Sequence, residues 1–111
     1  MTTFIGAEYI IAYTLITKIQ SGFDTATFQE VRDFGTKLQD ELNKNNIDAV
    51  VISHSLTDTV YQFSEYFEEV SLNNVNYIKC KRDISLSDLE SRFLGYLPLN
   101  ILNTVDDIIN G

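Results

Sequence analysis

Between Thr27 and Lys44 the chain sets Phe28, Val31, Phe34, Leu38 and Leu42 at three- and four-residue steps. That spacing draws one apolar stripe along a helix. Thr27 and Glu30 form a capping box at its start, and Asn45-Asn46 ends it. Asp33–Lys37 and Asp40–Lys44 have the favourable acid-before-base order on its outer side. Gly35 lies within the stripe, where its use is the close approach of a neighbouring element. Ile47 to Ser53 follows as a short apolar run, the pattern of a strand covered on both faces. From Asp58 the period changes: Val60, Phe63, Tyr66, Phe67 and Val70 fall on one side, Gln62, Glu65, Glu68 and Glu69 on the other. This predicts a helix through Val70 with Thr57 or Asp58 as its N-cap. Asn73-Asn74 turns the chain, and Val75 to Lys81 alternates as a second strand. The Lys79-Cys80-Lys81-Arg82 cluster marks that strand as a charged edge. Residues 47–81 therefore read strand, helix, strand, a parallel β-α-β unit with a right-handed crossover.

The N-terminal run, Thr3 to Ser21, supports two patterns. Phe4, Ile5, Tyr9, Ile11, Ala12, Ile16 and Ile19 share a broad helical face, with Thr14, Thr17, Lys18 and Ser21 opposite. Gly22 and Phe23 then look like a left-handed C-cap with its hydrophobic contact. The β-branched and aromatic content of Tyr9 to Ile16 argues for a strand instead, and the length of the run decides for helix. Glu8 is expected near the helix start, its carboxylate in solvent where the dipole favours an anion. In the tail, Ser87 and Glu90 form a second capping box leading into Leu89, Phe93 and Leu94, closed by Gly95. Pro98 opens a final helix with Leu99, Leu102, Val105, Ile108 and Ile109 on its apolar side. The expected fold class is α/β or α+β. A small two- to three-stranded sheet containing a β-α-β unit is covered by about four to five helices in a single domain.

Charge changes the picture more than composition does. Sixteen Asp and Glu against 8 Lys and Arg leave a net charge of −8. Nucleic acid and anionic membranes are excluded as natural partners, because both need Lys and Arg. Cys80 is the only cysteine and His54 the only histidine, so neither an intrachain disulfide nor a Cys/His zinc site can form. The N-terminus lacks the basic start of a signal peptide, and a cytoplasmic protein is expected. No metal and no cofactor is called for: the glycines match no phosphate-binding pattern, and Glu68-Glu69 and Asp106-Asp107 lack calcium-loop spacing. The order Ser87-Asp88-Leu89 is not the Asp-Ser-Leu of acyl carrier proteins, and a strand at Ile47 to Ile52 does not belong in that fold.

Ser53-His54-Ser55 with Asp58 is the one grouping that resembles a nucleophile site, yet chain neighbours rarely converge as a triad does and no Gly-x-Ser-x-Gly elbow surrounds them. No catalytic residue is assigned. Cys80 reads as a buried strand cysteine; exposed and paired with His54, its place between Lys79 and Lys81 would lower its pKa somewhat. What stands out is that Asn45 to Ile78 holds no Lys or Arg, while acids and aromatics are interleaved there. Asp58, Tyr61, Glu65, Glu68 and Glu69 are the candidate partner-binding residues, because carboxylates beside tyrosine seat basic groups by charged hydrogen bonds and cation–π contact. The resulting expectation is a non-enzymatic, acidic binding protein that is monomeric or weakly dimeric and neutralises a basic protein partner. Bacterial immunity proteins and antitoxins that cover the cationic cleft of a nuclease-type toxin have this size and charge. A small α/β enzyme or ligand-binding domain using the Ser53 to Asp58 turn, and an adaptor or self-associating subunit, are the alternatives.

Overall fold

The computed structural model describes residues 2–52, 55–95 and 97–110, the last three by backbone alone. The elements run β1 (Thr3–Ile5), α1 (Ala7–Gln20), β2 (Thr25–Thr27), α2 (Phe28–Lys44), β3 (Ala49–Val51), α3 (Leu56–Gln62), β4 (Phe67–Leu72), β5 (Val75–Cys80), α4 (Leu86–Phe93) and α5 (Leu99–Asn110). The fold is mixed α/β, with five helices and two small sheets among the described residues. β1 and β3 pair in parallel, and β2, β5 and β4 form an antiparallel sheet in that order.

The parallel β-α-β arrangement thus joins β1 to β3 across α1 and α2, whereas the sequence placed it at 47–81. The N-terminal run supplies both of its candidate structures in turn, a strand and then a helix. Register pairs Phe4 with Val50, and both side chains point outward, Phe4 being 65% exposed. β3 is therefore covered on one face only, against the expectation for Ile47 to Ser53, of which Ser53 itself lies outside the described residues.

α1 is the centre of the molecule. It packs against α2, α3, α4, β2 and β5, and Ala7 and every residue from Ile10 to Ile16 are buried. A helix surrounded in this way must be apolar on all sides. Thr14, expected on the polar side, is buried because its hydroxyl donates to the Ile10 carbonyl at 2.8 Å and leaves no free donor. Glu8 lies in the first turn as expected, half-buried. The helix ends in a Schellman motif. Gly22 adopts φ 92°, its N–H donates to Ile19 O, and Phe23 N–H donates to Lys18 O. Phe23 lies in solvent, under the Lys18 ammonium at 5.4 Å.

α2 carries the predicted capping box at Thr27 and Glu30, with Val31, Gly35, Leu38 and Leu42 buried. Its outer ion pairs are not the ones expected: Lys44 reaches Glu41, and Asp33 accepts from Gln29. Asn46 takes the left-handed position at the end, φ 55°, with Ile47 N–H donating back to Leu42 O. α4 is capped two residues earlier than the sequence indicated. The Ser85 hydroxyl accepts from Asp88 N–H at 3.1 Å, and Leu89 and Phe93 are buried. Phe93 then gathers Tyr9, Phe63, Tyr66 and Phe67 around its ring at 5.3–6.0 Å, tying α4 to α1 and to the start of β4. In α5, Ile101 and Val105 face inward and Leu99 is exposed; the side chains of Ile108 and Ile109 lie outside the described residues.

Candidate functional site

The largest departure from the predicted elements falls on the candidate residues. α3 ends at Gln62, and Phe67 to Val70, expected as its continuation, belong to strand β4, Phe67–Leu72. Asn73 and Asn74 connect β4 to β5 with φ of 52° and 66°. Positive φ at both central positions is the signature of a type I′ hairpin, whose twist matches that of paired strands. β5 consequently lies between β2 and β4, and is the central strand of its sheet, not an edge.

The hairpin register fixes which backbone groups are left over. A two-residue turn makes Leu72 and Val75 a hydrogen-bonded pair, and the same phase continues through Val70–Tyr77 and Glu68–Lys79. Lys81 N–H donates to Tyr66 O at 3.0 Å at the far end, in step with it. Phe67, Glu69 and Ser71 must then turn their amides and carbonyls to the other edge, where β4 has no neighbouring strand among the described residues. Phe67 N–H is taken by Phe63 O at 3.1 Å, so the Phe67 carbonyl and the outward groups of Glu69 and Ser71 have no strand partner among the described residues.

Beside this edge runs an open groove of about 480 Å³. Val60, Tyr61 and Ser64 line one side, Phe67, Glu68, Glu69 and Ser71 the other, and Lys81 also borders it. Tyr61 is 69% exposed, an unusual position for a ring beside apolar Val60 and Phe67, which are buried. Three of the five sequence candidates, Tyr61, Glu68 and Glu69, are therefore brought together. Asp58, in the first turn of α3, and Glu65, in the turn before β4, are exposed but do not line the groove. Ser55 occupies the α3 N-cap at φ 60° without a side-chain bond, in place of Thr57 or Asp58. Ser53 and His54 lie outside the described residues.

Compared with protein-family models, curated proteins and solved structures, the chain matches none. The site must be read from its own chemistry.

Its electrostatics are acidic but not of one sign. Lys81, read from the sequence as part of a charged strand edge and not as a site residue, lies at the groove with Glu68 and Glu69. Tyr66 is committed internally, with the Arg92 guanidinium 5.8 Å from its ring centre. Cys80 is half-buried and its thiol lies 3.7 Å from Ile84 O. Burial, and then the Glu68 charge, push the thiol pKa up; the lowering that Lys79 and Lys81 would give an exposed thiol does not occur. Lys79 instead pairs with Asp24 at 3.5 Å. Among the described residues no three His, Cys, Asp or Glu side chains are grouped to hold a metal ion. Nor is any helix there long and apolar enough to cross a membrane. The arrangement offers a strand edge, an exposed aromatic ring and two carboxylates, which suits recognition of an extended chain.

Proposed function

We propose that this protein is a non-enzymatic, cytoplasmic binding protein that takes up an extended basic segment of a protein partner along the free edge of β4. The partner class that best fits its size and charge is a cationic toxin domain of the nuclease type, and the protein would act as its immunity protein or antitoxin. The observation carrying this reading is the groove in which Tyr61, Glu68 and Glu69 flank the unpartnered backbone of Glu69 and Ser71. Strand addition supplies affinity through main-chain hydrogen bonds, while alternate side chains of the added strand meet pockets. On β4 those pockets carry carboxylates, which select Lys and Arg and speed encounter with a basic surface.

The test takes a cationic toxin-type domain sought in the neighbouring reading frames and follows its association with this protein by stopped flow at rising salt. The on-rate falls steeply between low and physiological ionic strength. The triple variant Glu65→Gln/Glu68→Gln/Glu69→Gln slows association by about tenfold or more. A salt-independent on-rate, or full inhibition of the partner by the triple variant, overturns the proposal.

A further inference from the structure

A second cavity, of about 470 Å³, lies among α1, α4 and α5. Tyr13, Ile16 and Gln20 of α1 form one wall, Glu90 and Leu94 another, and Leu102 and Asp106 of α5 the third. Tyr13 is the unusual member. Its side chain is 1% exposed and stacked on Phe34 at 6.3 Å, yet its hydroxyl is buried with no hydrogen-bond partner. A buried hydroxyl is ordinarily paired, because leaving it unpaired forfeits its hydration without replacement. Glu90 and Asp106, on two different walls of the same cavity, form no ion pair among the described residues. Both carboxylates act on the tyrosine: burial first, then Asp106, Tyr9 and Glu90, push its pKa upward, so it stays a neutral phenol at any ordinary pH.

We infer that this cavity is a binding site for a primary alkylammonium group. Three features converge on that chemistry. Ile16, Leu94 and Leu102 give an apolar wall for a methylene chain. Glu90 and Asp106 supply two negative charges, matching a cation and repelling a carboxylate or phosphate. The Tyr13 oxygen offers lone pairs to an ammonium N–H, which has three donors to place and nothing to accept with. A neutral alcohol would fill the apolar part but gain nothing from half-buried Glu90 or exposed Asp106. The ammonium has two possible sources, a free alkylamine or a lysine side chain presented by another protein. Neither depends on the β4 groove or on the toxin reading.

The test is a titration of the intact protein with n-hexylamine, 1-hexanol and the methylamide of N-acetyl-lysine, followed by methyl NMR and calorimetry. Hexylamine or the lysine derivative saturates the site and shifts the Ile16, Leu94 and Leu102 methyls, whereas hexanol does not. Saturation by hexylamine alone assigns the site to free amines; saturation by the lysine derivative assigns it to lysine side chains. Glu90→Gln/Asp106→Asn weakens binding at least tenfold, and Tyr13→Phe weakens it severalfold while raising the melting temperature of the free protein. The inference fails if no amine shifts those methyls at millimolar concentration, if hexanol competes equally, or if Tyr13→Phe binds as well as the parent.

Discussion

Gln39 does for β3 what no described residue does for β4. Its side-chain amide lies along the outer edge of the strand, donating to Ala49 O at 3.0 Å and accepting from Val51 N–H at 2.7 Å. One side chain thereby imitates a neighbouring strand and satisfies both backbone groups. Gln39→Ala leaves that amide and carbonyl partly buried without partners, and the expected loss of stability is about 1–3 kcal/mol by urea unfolding. Gln39→Glu restores shape but places a carboxylate against a carbonyl, so it does not rescue; equal stability of all three proteins would refute the role. Nothing in the sequence marks this residue, since a glutamine between Leu38 and Leu42 reads as the polar side of a helix. Glu30 is the opposite case, legible from its spacing to Thr27. Burial alone would raise its pKa, but the Lys18 ammonium and the Thr27 N–H outweigh this and hold the carboxyl below its usual range. A carboxyl with a depressed folded pKa binds more protons when unfolded, so its contribution is present above the ordinary carboxylate range and disappears as pH falls through the folded value. Glu30→Gln is accordingly less stable than the parent at neutral pH and equal to it in strongly acid solution. Both partners are partly exposed, so the difference is under about 1 kcal/mol.

At the scale of elements, the legible parts are those where one period explains every residue. The α2 stripe fits only a helix. Residues 58–72 fit two descriptions: Phe63, Tyr66, Phe67 and Val70 make a helical stripe, while Phe67-Glu69-Ser71 and Glu68-Val70-Leu72 alternate as a strand does. What decides between them is non-local. β5 buries Ile78 completely and needs a partner on each side, and Asn73-Asn74 can take the left-handed geometry that a tight hairpin requires. That dipeptide between two alternating runs was the available signal, and reading it as the end of a helix hid the strand. The turn itself is testable. Asn74, at φ 66°, is expected to be relieved by Asn74→Gly and to lose about 1 kcal/mol as Asn74→Ala. Denaturant midpoints in the order Gly, Asn, Ala would follow from this hairpin, whereas a helix running into the turn would rank alanine first. The β4 edge was equally invisible, because an unpaired edge is a property of which strands neighbour one another.

For the whole molecule the dominant long-range quantity is the net charge of −8, spread over a body 40 × 27 × 26 Å across. At roughly 0.01 M salt the screening length is about 30 Å, so nearly every charge acts on every other; at 0.1 M it is about 10 Å and only neighbours interact. Self-repulsion of the excess carboxylates destabilises the compact state, and its relief by salt raises the melting temperature over that interval and then levels off. Differential scanning calorimetry in sodium chloride measures this directly, and a melting temperature that falls or stays flat between those concentrations would refute it. The variant Glu68→Gln/Glu69→Gln separates a diffuse charge from a focused one. These two carboxylates lie on adjacent residues of β4 at the groove, with Lys81 nearby. If the surface is held acidic for a partner, their removal stabilises the free protein at low salt and slows association with a basic one. Gains in stability from Asp33→Asn/Asp40→Asn, on the outer side of α2, would come without that kinetic loss. A protein in which both pairs behave alike would have an acidic surface of general kind, with no charge reserved for the β4 edge.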